Sequence, residues 1–357
     1  MTTQLLAAAR AVLLNDEEES CSTQSDWDLC WMALGYAHLD MDRAVSLFRA
    51  LFSRQATNGA LYQSHHYKAK SGVFPSDVGG VPSMPTNSDR EIICAPLYGF
   101  ILWELYQIAK NKNEAKLLLQ EFYPKIIAFH RYLYAFRDPL DEGLLVVDHP
   151  LEMGRRTEKG GNTEQILDPL FNGLLTYSNE CLIQIGSLLK ADFQEVMDWH
   201  ELTIYSMNEK LWDEDRGIYN AYDLQLERLV PSQGLSGFVP MIGEVPTQVQ
   251  AEAMLLLLES EAYGGAGDHF FCPTESLDVQ PNGKINAVMN WILYQGLERY
   301  DMYELADRVR QDSLALMSRY GFKDTYPMHK ADNIDQELQA GAPSTAAAMA
   351  VAFYYSV

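Results

Sequence analysis

The stretch Ser25–Phe52, SDWDLCWMALGYAHLDMDRAVSLFRALF, reads as two consecutive helices and decides the fold class. Ser25 is an N-cap candidate, Trp27 and Asp28 fall in the first turn, and apolar residues continue at helical spacing to His38. From Leu39 to Phe52 a second helix places Ala44, Leu47, Phe48 and Leu51 on one face. Together they make an αα-hairpin.

The same unit recurs outward from this pair. Helical periodicity covers Glu91–Lys110, with a break tolerated at Pro96, and Asn113–Phe136. It returns over Glu164–Leu189 and Phe193–Trp212, and again over Ile285–Tyr300 and Met302–Tyr320. Thr3–Leu14, Pro246–Glu259 and Ser344–Tyr355 supply the remainder, about eleven or twelve helices in all. The segment from Leu211 to Pro231, with its DEDRG turn, reads as a small hairpin or irregular loop. Long loops follow alternate helices, and no sequence repeat is evident, which argues against a solenoid. Antiparallel helix pairs with their long loops gathered at one end predict an all-α toroid of two concentric helix rings, with function where the loops gather. The chain is expected to form one domain over residues 1–357, with 1–20 as an N-terminal helix and arm.

Composition narrows the function classes. With Lys+Arg 27 against Asp+Glu 49 the formal charge is −22, which repels phosphate backbones and anionic bilayers, so neither nucleic acid nor membrane is an expected partner. A small-molecule ligand is. The start MTTQLLAAARAVLLNDEEE lacks a cationic segment followed by a cleavable apolar one, and no run of eighteen apolar residues occurs. Five scattered cysteines (Cys21, Cys30, Cys94, Cys181, Cys272), never in a CxxC pair, fit a reducing compartment and buried apolar roles. The expected location is cytoplasmic.

Three loops carry the candidate chemistry. Phe136–Glu158, FRDPLDEGLLVVDHPLEMGRRTE, packs Asp148, His149, Glu152 and Glu158 into eleven residues. Residues 53–88 contain the adjacent His65 and His66, which diverge on any regular element, and Tyr62, Tyr67 and Phe74, suited to stacking on a sugar ring or to packing the loop down. The Gly-rich EAYGGAGDHFFCPTESLDVQPNGK has neither P-loop nor GxGxxG spacing. No HxxxH or HxH pair exists and no GxSxG elbow, so no metal, no cofactor and no serine or cysteine nucleophile is expected.

Several segments in the same order resemble the (α/α)6-barrel glycosidases of glycoside hydrolase family 63, including the bacterial mannosylglycerate and glucosylglycerate hydrolases and, more distantly, trehalases. The resemblance is carried by SDWDLCWMALGYAHLDMDRAVSLFRALF, RDPLDEGLLVVDHPLEMG, DPLFNGLL, LWDEDRGIYNAYDL with GLSGFVPMIG, and NGKINAVMNWILYQGLERYDMYELADRV. It implies an (α/α)6 toroid and hydrolysis with inversion, in which a carboxylic acid and a carboxylate base stand roughly 6.5–9.5 Å apart across the sugar. The family acid is the Asp of His-Pro-x-Glu-x-Gly-x-Asp-Asn-Ser. Here His149, Pro150, Glu152 and Gly154 match, while Arg156 takes the acid's place and Thr157 that of the Asn. An arginine does not donate a proton at useful pH. The base is expected shortly after a Gly-Phe step, where Gly321-Phe322 is followed by Lys323 and Asp324. The family's Trp-Arg-Gly-Pro reads Pro281-Asn282-Gly283-Lys284 and its Gln-Pro-Pro reads Cys94-Ala95-Pro96, while Trp27-Asp28 and Asn290-Trp291 are kept.

Three readings follow. In the first, a glycosidase has a relocated acid, Glu158 or Glu152, with Asp324 as base; Glu152 could equally hydrogen-bond its own loop. In the second, a non-hydrolytic enzyme uses Arg155-Arg156 and Lys284 to grip an anionic ligand, with Asp324, Asp28 or His149 as its base. In the third, the chain only binds. The expected ligand-contacting residues are Trp27, Asp28, His149, Arg155, Arg156, Lys284, Asn290 and Trp291.

Overall fold

A computed structural model describes residues 2–15, 25–63, 92–153, 165–231, 234–265, 270–328 and 343–356. The helices are α1 Thr2–Asn15, α2 Asp26–Leu39, α3 Met41–Phe52, α4 Tyr98–Ile108, α5 Lys112–Arg137, α6 Pro169–Leu189, α7 Gln194–Lys210, α8 Gln248–Leu258, α9 Ala287–Arg299, α10 Tyr303–Tyr320 and α11 Pro343–Tyr355. A nine-residue 3-10 segment, Leu235–Gly243, lies between α7 and α8.

Burial sorts these elements into two rings. Along α2 every residue from Leu29 to Ala37 is buried, as are fifteen residues of α6, so these helices are covered on all sides. By contrast α3 buries only Ala44, Val45, Leu47, Phe48, Leu51 and Phe52, a single stripe. The inner ring closes through successive contacts of α2, α4, α6, the 3-10 segment, α9, α11 and α2 again. Outside it, α3 packs on α2, α5 on α4 and α6, α7 on α6, α10 on α9 and α11, and α1 on α11 and α10. The molecule is the expected (α/α)6 toroid.

Two close approaches set how tightly the inner ring is drawn. A Cβ on Gly35 would lie 2.5 Å from Cα of Ala348, so only glycine lets α2 meet α11. Likewise a Cβ on Gly173 would meet the Pro240 backbone at 3.0 Å, where α6 abuts the 3-10 segment.

Chain direction alternates, so every outer-to-inner connection emerges at the N-terminal ends of the inner elements. Among the described residues those connections hold all the strands: β1 Val146–Val147, β2 Ile166–Leu167, β3 Trp212–Asp213, β4 Ile218–Tyr219, β5 Ala221–Asp223, β6 Arg228–Val230, β7 Lys284–Ile285 and β8 Tyr326–Pro327. β1, β2, β5 and β6 form one antiparallel sheet in that order, which ties the loop after α5 to the loop after α7. β7 pairs with β8 and ties the loop before α9 to the loop after α10. Inner-to-outer turns are short.

Three sequence expectations are corrected. The helix expected from Glu91 begins at Tyr98, because Pro96 lacks an amide hydrogen and disfavours helical geometry before it; Ile93 instead bridges to Tyr62. The helix expected from Glu164 begins at Pro169, with Asp168 as N-cap accepting the Leu170 and Phe171 amides. The 3-10 segment has no counterpart among the expected elements; Pro240 within it removes a helical donor. Cys30, Cys94, Cys181 and Cys272 are buried as expected, whereas Cys21 lies outside the described residues. Among the described residues no helix is long and apolar enough to cross a membrane.

Candidate active site at the mouth of the toroid

The inner N-termini define a mouth floored by aromatic rings. Trp31 packs edge-on against Trp27 and Trp291 at centroid distances of 5.6 Å, and Phe100 lies 5.6 Å from Trp291 and 5.8 Å from Trp31. Trp31 is wholly buried and Trp291 nearly so. The indole Nε1 atoms of both have no hydrogen-bond partner among the described residues. The expected sugar-contacting Trp27 and Trp291 thus meet through Trp31, which sequence reasoning passes over as one more apolar residue of α2.

Asp28 sits where the ring closes. It accepts the Ser25 hydroxyl at 2.6 Å on one oxygen and the Thr345 hydroxyl of α11 at 3.2 Å on the other. Ser25 in turn accepts the Asp28 amide as N-cap. The carboxylate therefore links the first and last inner helices.

The loop after α5 is built on a buried ion pair. Asp138 accepts the Glu142 and Gly143 amides, which turns the chain back at once. Asn172 of α6 then clasps Leu145 in both directions, accepting its amide at 2.8 Å and donating to its carbonyl at 3.0 Å. Beyond β1, residues 150–153 form a 3-10 turn. Within it Glu152, with no exposed surface, pairs with Arg137 at 2.9 Å. Its two oxygens also accept the Ile93 and Asp148 amides at 3.2 and 3.0 Å. Burial pushes the Glu152 carboxyl above its ordinary value, and Arg137 and the two amides oppose that rise. With every direction around it taken, Glu152 cannot approach a glycosidic oxygen in this arrangement; it anchors the loop. His149 is half-buried, and its Nδ1 accepts the Leu151 amide at 3.2 Å, which leaves the ring proton of the neutral form on Nε2.

On the opposite side of the mouth, Asn286 caps α9 by accepting the Met289 amide and donates to the backbone carbonyl of Asp324 at 3.1 Å. The Tyr326 hydroxyl accepts the Lys323 amide and donates to the Gly321 carbonyl, which curls residues 321–326 into a compact turn. Asp324 is half-buried in that turn, and Lys284 on β7 is exposed and pairs across to Pro327 of β8. Asn290 points the other way: its amide donates to Ser313 of α10 and to the Phe271 carbonyl, so it faces the outer ring rather than the mouth. Arg155, Arg156 and Glu158 lie outside the described residues, as do His65, His66, Tyr67 and Phe74. Tyr62 packs edge-on against Tyr132. Among the described residues no three His, Cys, Asp or Glu side chains are grouped to hold a metal ion.

A groove of about 840 Å³ on the outer wall, between α7 and α8, has Ile204, Trp212 and Ala253 for its floor and Glu201, Glu209 and Glu214 on its rim. It includes none of the residues expected to contact a ligand or to act in catalysis.

The profile of the family described as mannosylglycerate hydrolase MGH1-like glycoside hydrolase domain matches residues 22–330. Among curated proteins, the chain is 26% identical to the mannosylglycerate hydrolase of Thermus thermophilus, over 84% of this chain and 87% of that one. Among solved structures, it is similar to a family 63 mannosylglycerate hydrolase, also from Thermus thermophilus. In complex with Tris and D-glycerate that enzyme superposes at a TM-score of 0.79 and 23% identity, covering 98% of this chain and 99% of that one. In complex with glucose it does so at 0.77 and 25%, covering 93% and 92%.

Proposed function

The chain belongs to this glycoside hydrolase family, and from that premise we propose that it hydrolyses a small α-glycoside, of the mannosylglycerate type, at the mouth of the toroid. The observation that carries the reading is the aromatic cluster of Trp27, Trp31, Phe100 and Trp291 at the inner N-termini, with Asp324 held by Asn286 at the N-terminus of the helix that bears Trp291. These rings are buried, so they support the mouth from beneath, and the polar groups of the loops around it are left to contact the sugar.

In this mechanism Asp324 is the base that deprotonates the attacking water. The Asn286 contact and the β7–β8 pairing, which hold its backbone, support that role. Water attacks the anomeric carbon from the face opposite the leaving oxygen, and the configuration inverts. Glu158 is the acid that protonates the leaving oxygen in place of the residue replaced by Arg156. His149 donates from Nε2 to a sugar or glycerate oxygen, and Asp28 accepts from a sugar hydroxyl. Arg155, Arg156 and Lys284 attract the carboxylate of a glycerate-type aglycone. One shared core running from Leu5 to Phe353 supports a single domain over 1–357, with residues 1–20 as its first outer helix and arm.

Turnover of α-mannosides and α-glucosides, glycerate-linked ones included, with the product anomer followed by NMR, tests the reading. Asp324→Asn and Glu158→Gln should each lower kcat by on the order of 1,000-fold with the fold intact. Full activity in both would sink the assignment of acid and base. No release of sugar by the wild-type protein would sink hydrolysis itself.

A further inference from the structure

We propose that Arg137 is a positioning residue for the sugar site, holding the loop that carries His149 at the height the reaction needs; the assignment rests on the mouth being that site. Arg137 is the last residue of α5, and 6% of its surface is exposed. One guanidinium nitrogen reaches Asp148 at 2.9 Å and Glu152 at 3.3 Å, and the other reaches Glu152 at 2.9 Å. Glu152 passes the constraint on through the Ile93 and Asp148 amides, so one cation fixes two separate segments of the mouth. Gln63 repeats the tie from a third direction, donating to the carbonyls of Leu151 and Ile93 at 2.8 and 3.2 Å. His149 lies between the two anchored carboxylates in sequence, and its Nδ1 is engaged by the Leu151 amide inside the same turn.

A planar fork is the one side chain able to meet two carboxylates at fixed angles, which is what a positioning role requires. Mere stability does not require it, because an apolar pair of similar volume commonly replaces a buried ion pair without loss. That difference separates the two roles.

The test compares the wild-type protein with Arg137→Lys, Arg137→Ala and the double variant Arg137→Met/Glu152→Met. Kinetics on α-mannosylglycerate, thermal midpoints and amide hydrogen exchange over residues 144–153 are read together. Arg137→Ala should lose both midpoint and activity. The double variant should regain most of the midpoint while kcat stays on the order of 100-fold down, with KM changed far less. Arg137→Lys, which keeps the charge but not the fork, should fall between. The Asp148 amide, deprived of its acceptor, should exchange faster in the double variant. Recovery of kcat together with the midpoint would reduce Arg137 to a purely structural residue. Should the wild type turn over no glycoside, the proposed function falls, and exchange still decides the clamp: unchanged protection of Asp148 in the double variant would overturn it.

Discussion

Glu152 and Glu104 are both enclosed by the toroid, one at the mouth and one toward the far end, and they differ in what faces them. Glu152 meets Arg137 and two backbone amides. Glu104, on α4, faces Tyr177 and Cys181 of α6, and burial alone pushes its carboxyl up to about 7. A cation is near, since Arg299 lies over the Tyr177 ring at 5.2 Å, but it is already committed to Glu180 and Glu244 at 2.7 and 2.8 Å. Burial raises both carboxyls, and only at Glu152 do a cation and two backbone amides oppose the rise.

The largest break in that comparison comes from stripping Glu152 of its partner. Arg137→Ala should cost about 3–5 kcal/mol in urea unfolding at pH 7, because it strands a buried carboxylate. A value under about 1 kcal/mol would mean that water or a neighbour replaces the guanidinium.

Glu104→Gln should act in the opposite sense and only on one side of the pH scale. The folded carboxyl holds its proton more tightly than the ordinary 4.5 of the free group, so folding is favoured while the proton is on. Stability is then lost as pH rises from 4.5 to about 7. Glutamine is spared that loss, so the variant should be more stable than wild type by about 2 kcal/mol at pH 8 and equal to it below pH 4.5. That figure is below the full value of the shift because Glu104 keeps some contact with solvent. Parallel stability curves for the two proteins across pH 4.5–8 would refute it.

The smallest effect sharpens the role of burial. Arg49 grips Glu121 with two nitrogens at 2.8–3.2 Å, yet its side chain is 54% exposed. Arg49→Ala should change unfolding free energy by about 0.5 kcal/mol or less, and that little should fade in high salt. A cost near that of Arg137→Ala would show that geometry, not burial, sets the worth of these pairs.

The rings are legible in the sequence because local rules and packing agree. Ser25 caps α2 and the stripe Ala44, Leu47, Phe48, Leu51 faces α2 in α3, both as spacing requires. Helix starts go astray at Pro96 and Pro169, where proline's own geometry outranks the apolar period. The site is harder. Trp27 and Trp291 can be named from their motifs, but the Arg137–Glu152 pair is set by how a loop folds back on its own helix, which periodicity does not encode. Asn290 has the right sequence neighbours and the wrong direction, because one residue along a helix turns the side chain by about 100°. Nothing in YGFILWELYQI marks Glu104 as a half-buried residue; the approach of α6 takes most of its carboxyl out of water.

The seam of the inner ring joins residues 317 apart, Thr345 to Asp28, and α1 packs on the same last helix. During synthesis the ring thus stands open until residues 343–355 have left the ribosome, with the apolar faces of α2 and α9 lacking their cover. Closure, together with the docking of α1 on the same helix, is among the longest-range events in this chain, so it should slow folding. An open ring leaves the apolar surface that α11 covers exposed, as unfinished folds of this size commonly do.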